Sequence, residues 1–184
     1  IAFFMLTGEL MTSATITDRL VALSRALIGR IRGGLAQVNV LVSMFFAGMN
    51  GSVVADTATV GALVLPAMKK AGYPAAFSAA VTGVSSTIGG IIPPSIMMIV
   101  LANATEISIA ALFAAGIVPG ILIGVVIMVI NHYFAVKYNF ERSDEPFSVR
   151  RAGKELYRSS FALLIPLVLV GSVMGGVASV VEAG

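Results

Sequence analysis

The sequence contains no cysteine and no tryptophan, and it has a single histidine. Without cysteine it can form neither a disulfide framework nor a thiolate metal site. His132 alone cannot build a histidine metal cluster or a catalytic triad. Gly-x-Ser-x-Gly, the P-loop and His-Glu-x-x-His are also absent from the sequence. These absences argue against the common enzyme classes.

Charge is scarce as well: 11% of the 184 residues are charged and 58% are hydrophobic. Soluble domains average about 25% charged residues. The composition therefore predicts an all-α polytopic membrane protein. Because Ile1 lies within one apolar run and Gly184 follows another, we expect an internal piece of a longer polypeptide.

The twelve basic residues fall into three clusters, at 19–32, 69–70 and 137–158. Each cluster flanks a hydrophobic stretch, which is typical of cytoplasmic loops in a multi-pass protein. A nucleic-acid interface would instead need a basic face on a folded domain. We therefore expect these loops at the cytoplasmic surface and no nucleic-acid partner.

Residues 1–33 are expected to hold the end of a spanning helix and then an amphipathic helix on the membrane surface. Leu20, Leu23, Leu27 and Ile31 recur at helical spacing among arginines, which favours this interpretation. A basic connector without amphipathic character is the alternative.

Residues 34–72 contain two apolar arms, 34–49 and 53–68, joined by a tip of small polar residues. Each arm has about 16 residues, whereas a spanning helix needs about 20. This pattern predicts a re-entrant helical hairpin. Two short complete spans would return the chain to the same side, so the charge pattern leaves both possibilities open.

Residues 73–104 are long enough to span, but Gly89-Gly90-Ile91-Ile92-Pro93-Pro94 interrupts them. Two prolines remove two backbone donors, and the glycines weaken the preceding turn. We therefore predict an interrupted helix whose first half ends near Ile88. Its second half should open at Ser95, a good N-cap residue.

The rest of the chain divides into three predicted segments: a transmembrane helix at 105–136, a cytoplasmic arm at 137–160 and a further transmembrane helix at 161–184. The first helix carries Gly116, Gly120 and Gly124. A small residue at every fourth position predicts a face for close helix packing.

Asp56 is the one aspartate within the predicted intramembrane segments. A charge there costs ~3 kcal/mol on insertion scales, and no lysine or arginine lies in the hairpin core. Its charge therefore needs a cation, a proton, helix dipoles or a group elsewhere. A protonated or helix-capping aspartate is the alternative. An aspartyl protease would require a second catalytic aspartate.

Hydroxyl groups lie on both sides of the hairpin tip and of the helix interruption. For Thr82, a bond to its own helix or to a neighbouring helix is the favoured role. For Ser95, beside the double proline, a role in a binding site is favoured. Broken helices also expose carbonyls that suit cations and N-termini that suit anions.

Four motifs together resemble the large membrane subunit of tripartite ATP-independent periplasmic (TRAP) transporters. They are GRIRGGLA from Gly29, AGMNGSVVAD from Ala47, PAMKKAGY from Pro66 and SSTIGGIIPPS from Ser85. The resemblance covers nearly the whole chain.

The resemblance implies the ion-transporter-superfamily fold, with this chain as the first inverted repeat of an elevator transporter in the bacterial inner membrane. It also implies sodium-coupled uptake of an organic acid, such as a C4-dicarboxylate or sialic acid. A periplasmic binding protein would deliver the solute, and a small membrane subunit would pack against the scaffold. The hairpin and interrupted helix would form the transport domain, with the first and last segments in the scaffold.

Carried over by position, the resemblance implies a first sodium site at Asn50, Gly51, Ser52, Asp56, Gly89 and Ser95. The implied solute-binding residues are Ser52, Thr57, Ser86, Thr87, Pro94 and Ser95. Two positions depart from the family pattern, which often has serine at Asn50 and proline at Gly90. A one-component sodium:carboxylate carrier and a non-transporting scaffold subunit are the rival hypotheses.

Overall fold

The computed structural model describes residues 16–28, 31–140 and 149–175, and every regular element within them is helical. The all-α prediction is confirmed for this part of the chain. The predicted end of a spanning helix at 1–11 lies outside the described residues, as do 141–148 and the last part of the helix predicted at 161–184.

The first helix, α1, spans Ile16–Ile28. It is amphipathic only in part: Leu20 and Leu23 are buried, whereas Leu27 and Ile31 are each 41% exposed. Ile31 lies beyond the helix end, which removes it from the predicted stripe. α1 packs against the hairpin and against the last helix, where the Arg19 guanidinium donates to the carbonyl of Arg158 at 3.2 Å.

Residues 34–70 form a hairpin of two short helices, α2 (Gly34–Asn50) and α3 (Val53–Lys70). The arms fold back on each other, because the Asn39 side chain of α2 lies 3.7 Å from the Met68 sulfur near the far end of α3. Both arms are shorter than the ~20 residues that a spanning helix needs. The two arms therefore form a helical hairpin, and its re-entrant character stays a prediction.

The next helix is interrupted as predicted. α4 spans Ala75–Ser86, a 3₁₀ turn covers Thr87–Gly90, and α5 spans Ile96–Thr105. The first half leaves α-helical geometry at Ser86, two residues before the predicted end, because the weakened turn tightens into 3₁₀ geometry. Ser95 is the N-cap of α5, as predicted.

A long helix, α6, runs from Ile109 to Lys137 and is, within the described residues, the only one long and apolar enough to cross a membrane. Its glycine face packs inward. A Cβ at Gly120 would meet the Ile92 side chain, and one at Gly124 would lie 2.5 Å from the Met44 sulfur. The predicted packing face is thus confirmed, and it holds α6 against the hairpin and the helix interruption.

The last described helix, α7, spans Val149–Met174. It runs through the boundary between the predicted arm (137–160) and the predicted transmembrane helix (161–184), so the second half of the arm is helical. α7 is fastened to α1 by the Ser159 hydroxyl, which donates to the carbonyl of Arg19 at 3.3 Å.

Candidate functional site

The hairpin tip is a two-residue connection with a specific backbone. Gly51 ends α2 in the left-handed conformation, with φ 58°, and glycine adopts that region without a steric penalty. Ser52 is extended and begins α3, where its hydroxyl oxygen accepts a hydrogen bond from the Ala55 amide at 3.4 Å. The N-terminus of α3 is therefore capped at the tip itself.

The interruption of the second helix is held by a hydrogen bond across it. The Ser95 hydroxyl donates to the Gly90 carbonyl at 2.8 Å and its oxygen accepts from the Met98 amide at 3.4 Å. The peptide between Pro93 and Pro94 is cis. Ser95 thus joins the two sides of the interruption and caps α5.

The tip and the interruption are in direct contact. The Ile96 amide, at the start of α5, donates to the Gly51 carbonyl at 3.2 Å. A Cβ at Gly51 would lie 2.9 Å from the Ser95 Cα, and one at Gly89 would lie 3.6 Å from the Ser52 carbonyl carbon. The structure therefore brings together the sequence-predicted residues of the tip and of the interruption.

Asp56 lies in the first turn of α3 and is fully buried. Neither of its carboxylate oxygens has a hydrogen-bond partner. The alternative of a capping aspartate is wrong, because Ser52 performs the capping. Burying a carboxylate without a partner is unfavourable, so this group requires a cation or a proton.

Asn50 is 4% exposed and its amide has a defined orientation. Its Oδ1 accepts a hydrogen bond from the Ser52 amide at 3.1 Å. Since an N–H group needs an acceptor, the oxygen must lie on that side. Its Nδ2 is buried and has no partner. The Asn50 oxygen, which the resemblance assigns to the sodium site, therefore already accepts a hydrogen bond within the tip.

The other predicted solute-binding hydroxyls occupy different environments. Thr57 and Thr87 are exposed. Thr57 donates to the Val53 carbonyl of its own helix at 2.8 Å, and Thr87 donates to the Val84 carbonyl in the last turn of α4 at 2.7 Å. Ser86 is fully buried and donates to the Thr82 carbonyl at 2.8 Å. Ser86 thus lies in the protein interior, whereas the two threonines lie at the surface.

Sequence reasoning missed a buried polar network between α2 and α4. Asn39 Nδ2 donates to the Thr82 hydroxyl oxygen at 2.7 Å, and the hydroxyls of Ser43 and Ser85 lie 3.1 Å apart. The role expected for Thr82 is confirmed, since its hydroxyl also donates to the Ser78 carbonyl of its own helix. The i, i+4 spacing of Asn39 and Ser43 could have revealed the polar stripe on the first arm.

Within the described residues, no group of three histidine, cysteine, aspartate or glutamate side chains could hold a metal ion. A divalent site built from several carboxylates is therefore not formed there. One carboxylate with hydroxyl and carbonyl oxygens is a set suited to a hard cation of low charge.

Comparison with known proteins places the chain in a family. Residues 1–184 match the family described as "Tripartite ATP-independent periplasmic transporter, DctM component". The C4-dicarboxylate TRAP transporter large permease protein DctM of Pseudomonas aeruginosa is 38% identical over 183 residues, which is 100% of this chain and 43% of the relative.

Other relatives carry different solutes in their names. The sialic acid TRAP transporter permease protein SiaT of Haemophilus influenzae is 37% identical over 100% of this chain and 30% of its own length. The 2,3-diketo-L-gulonate TRAP transporter large permease protein YiaN of Escherichia coli is 36% identical over 100% of this chain and 43% of its own length. The chain thus spans less than half of each of these relatives.

These relatives are named as permease subunits of transporters and not as enzymes. The match of the whole sequence agrees with the paired motifs of the hairpin tip and the helix interruption. The chain belongs to the DctM-component family of tripartite ATP-independent periplasmic transporters, a family of membrane proteins.

Proposed function

We propose that this chain is part of a permease that couples the uptake of an organic acid to a sodium gradient. The observation that carries the proposal is Asp56, a fully buried carboxylate with no hydrogen-bond partner, in a hairpin whose tip contacts an interrupted helix. An unpaired charge buried in this way is unfavourable. A bound cation would neutralise this charge. Sodium binding near Asp56 would therefore stabilise the contact between the hairpin tip and the interrupted helix.

The oxygen-rich region at the tip supports the sodium assignment. The proposed ligands are Asp56 with the tip and interruption residues Asn50, Gly51, Ser52, Gly89 and Ser95. Sodium is a hard cation, and hard cations bind oxygen ligands of the carboxylate, carbonyl and hydroxyl type. The break in the helix is consistent with this role, since unwound backbone in membrane proteins is tolerated where it lines a site.

The proposed solute is an organic anion. The N-termini of α3 and α5, capped by Ser52 and Ser95, both lie at the contact between tip and interruption. The N-terminus of a helix attracts negative charge, so two of them favour a carboxylate. Solute binding is proposed at Ser52, Thr57, Thr87, Pro94 and Ser95, and Ser86 completes the set carried over from the family. C4-dicarboxylates and sialic acid, which appear in the names of relatives, are the proposed solute types.

Transport is proposed to follow an elevator mechanism in the ion-transporter-superfamily fold. The hairpin and the interrupted helix would move as one transport domain, a role supported by the backbone hydrogen bond between Ile96 and Gly51. The first and last segments would belong to the scaffold. A periplasmic solute-binding protein and a small membrane subunit are the proposed partners, in the bacterial inner membrane with the three basic clusters cytoplasmic.

The test is sodium-driven uptake by the complete transporter in proteoliposomes, with Asp56→Ala and Asp56→Asn as variants. Asp18→Asn is the matched control, because Asp18 is an exposed acid on α1. We expect both Asp56 variants to lose uptake while inserting normally, and the control to retain it. Unchanged uptake in the Asp56 variants would overturn the ion-site assignment. Uptake without any binding protein would favour the one-component carrier instead.

A further inference from the structure

A cluster of aromatic rings lies at the end of the hairpin opposite its tip. Tyr73 follows the second arm, Phe77 lies in the first turn of α4, and Phe134 and Phe140 lie at or just beyond the end of α6. The ring centroids of Tyr73 and Phe140 are 4.7 Å apart, and those of Phe77 and Phe134 are 6.2 Å apart. The end of α6 therefore packs beside the start of α4.

The end of α6 also lies against the loop before α2. Asn139, with φ 50°, ends the helix in a Schellman motif, in which the Phe140 amide donates to the Ala135 carbonyl at 3.0 Å. The Arg32 guanidinium donates to Asn139 Oδ1 at 3.3 Å. A Cβ at Gly33 would lie 2.5 Å from the Ala135 Cβ. The guanidinium of Arg32 is therefore held at the same end of α6 as the aromatic cluster.

Lys137, in the last turn of α6, lies between two exposed tyrosines. Its Nζ is 6.0 Å from the centroid of the Tyr133 ring and 5.7 Å from that of the Tyr138 ring. The face of an aromatic ring attracts an ammonium group. Because the rings supply no carboxylate or carbonyl acceptor, the N–H donors of Lys137 remain available to an anion.

Two further lysines lie beside the aromatic cluster. Lys69 and Lys70 end α3, and Tyr73 follows Lys70 by one short turn. Both lysines are exposed, as are Arg32 and Lys137. Cations from three segments of the chain thus flank the aromatic rings. We call this region the basic–aromatic surface, and it consists of Arg32, Lys69, Lys70, Tyr133, Lys137 and Tyr138.

The acidic residues lie elsewhere in the part of the chain that the structure describes, where none of the four cations belongs to an ion pair. Asp56 is in the first turn of α3, about 20 Å along the helix axis from the lysines that end it. Glu106 precedes the start of α6, about 40 Å from its far end. Asp18 is in the first turn of α1, and Glu155 on α7 pairs with Arg158 at 3.6 Å. The positive charge of the surface is therefore not balanced among the described residues.

A stripe of exposed apolar side chains runs along α6 to this surface. Leu122, Val126 and Val129 are 63%, 48% and 64% exposed, and Tyr133 continues the stripe at helical spacing. α6 is longer than the ~20 residues that a spanning helix needs, so its last turns extend into the headgroup region, where tyrosine is common. A free anion would use only the cations. A phospholipid would use both the cations and the stripe.

We propose that the basic–aromatic surface binds the phosphate headgroup of an anionic phospholipid whose acyl chains lie along the apolar stripe of α6. Basic residues beside a membrane-spanning helix attract anionic headgroups. The end of a helix carries a negative charge of about half a unit, which the two full positive charges of Arg32 and Lys137 outweigh. The inference depends neither on sodium coupling nor on the identity of the solute.

The test is phosphatidylglycerol binding by the purified complete transporter, measured by native mass spectrometry as the affinity for the first lipid molecule bound. We expect Arg32→Gln and Lys137→Gln each to weaken binding roughly fivefold, the contribution of one basic residue near an anionic surface. Lys154→Gln is the matched control, because it removes the charge of an exposed lysine on α7. The control should bind like the unsubstituted protein. All three positions are exposed, so the thermal unfolding midpoint without added lipid should not change.

Two variants of Tyr133 test the aromatic part of the surface. Tyr133→Phe keeps the ring and should keep the affinity. Tyr133→Leu keeps an apolar side chain but loses the ring face, and it should bind roughly two- to fivefold more weakly, which is the strength of a cation–π interaction at an exposed site. A Tyr133→Leu variant that binds as tightly as Tyr133→Phe overturns the role of the ring.

The remaining outcomes separate a lipid site from other occupants. Weaker binding in both Arg32→Gln and Lys137→Gln, with unchanged binding in Lys154→Gln, supports the inference. Unchanged binding in either variant overturns it, and so does an equal loss in the control, which would indicate general charge attraction. Equal affinity for phosphatidylcholine, or displacement of the lipid by an equal concentration of inorganic phosphate, also overturns it. If phosphatidylglycerol does not bind because another protein segment covers the surface, the inference is wrong and the proposed function is unaffected.

Discussion

The backbone amide of Ile96 donates a hydrogen bond to the Gly51 carbonyl at 3.2 Å, which joins the start of α5 to the tip of the hairpin. The bond uses an amide that has no partner within its own helix, since the first amides of any helix lack one. It also uses a carbonyl freed by the end of α2. Two helix ends thus satisfy each other, and the contact holds the tip of the candidate site against the interruption.

Gly51→Ala should disrupt this contact. The φ of 58° imposes a penalty of roughly 1–2 kcal/mol on an alanine, and its Cβ would lie 2.9 Å from the Ser95 Cα. We expect a lower thermal unfolding midpoint and loss of uptake. Gly72→Ala is the control, because Gly72 also has a positive φ but nothing lies within 4 Å of its Cβ position. Equal effects of the two substitutions would mean that the contact contributes little.

A disulfide should form in the double variant Val53→Cys, Gly90→Cys. A Cβ at Gly90 would lie 3.3 Å from the Val53 Cγ2, and a sulfur introduced at position 53 would occupy a similar place. That separation suits a disulfide, and the chain has no other cysteine. After oxidation, a protein cleaved between the two sites should stay joined on a non-reducing gel. Val53→Cys with Gly72→Cys should not cross-link.

If the hairpin and the interrupted helix move as one domain, the Val53–Gly90 cross-link should leave uptake largely intact. Abolition of uptake on oxidation, reversed by reduction, would show that tip and interruption separate during transport. The same double variant under reducing conditions is the control for the substitutions themselves.

The glycine face of α6 predicts a graded series of stabilities. A Cβ at Gly116 would lie 2.5 Å from the Ile91 carbonyl, which is backbone, whereas one at Gly124 would meet mainly the flexible side chain of Met44. Backbone cannot move aside at low cost, but a methionine can change rotamer. Gly116→Ala should therefore lower the unfolding midpoint more than Gly124→Ala. The reverse order would contradict the packing described for the interruption.

Asn39→Ala should destabilise the protein by about 1–3 kcal/mol, because it leaves buried hydroxyl groups of the α2–α4 network without partners. The measurement is thermal unfolding of the purified protein. Asn103→Ala is the control, since Asn103 is exposed on α5 and exposed substitutions change stability by no more than about 0.5 kcal/mol. A neutral Asn39→Ala would show that the network can be lost without consequence.

The sequence by itself determined the local features of this protein. Arms too short to span predicted the hairpin, two prolines after two glycines predicted the interruption, and Ser95 was recognisable as an N-cap. Each of these follows from the backbone chemistry of neighbouring residues. The sequence also identified Asp56 as a charge within an apolar stretch, because the free-energy cost of burying a charge depends mainly on its hydrophobic surroundings.

Only the tertiary structure decided which groups face each other. The hairpin tip lies against the helix interruption, and Ser52, not Asp56, caps α3. The Asn50 side-chain oxygen accepts a hydrogen bond from the Ser52 amide within the tip. The tertiary structure also joined Asn39 to Thr82, residues on different helices. Such pairings depend on how helices pack over long sequence separations, and the local patterns that predict a helix do not encode them.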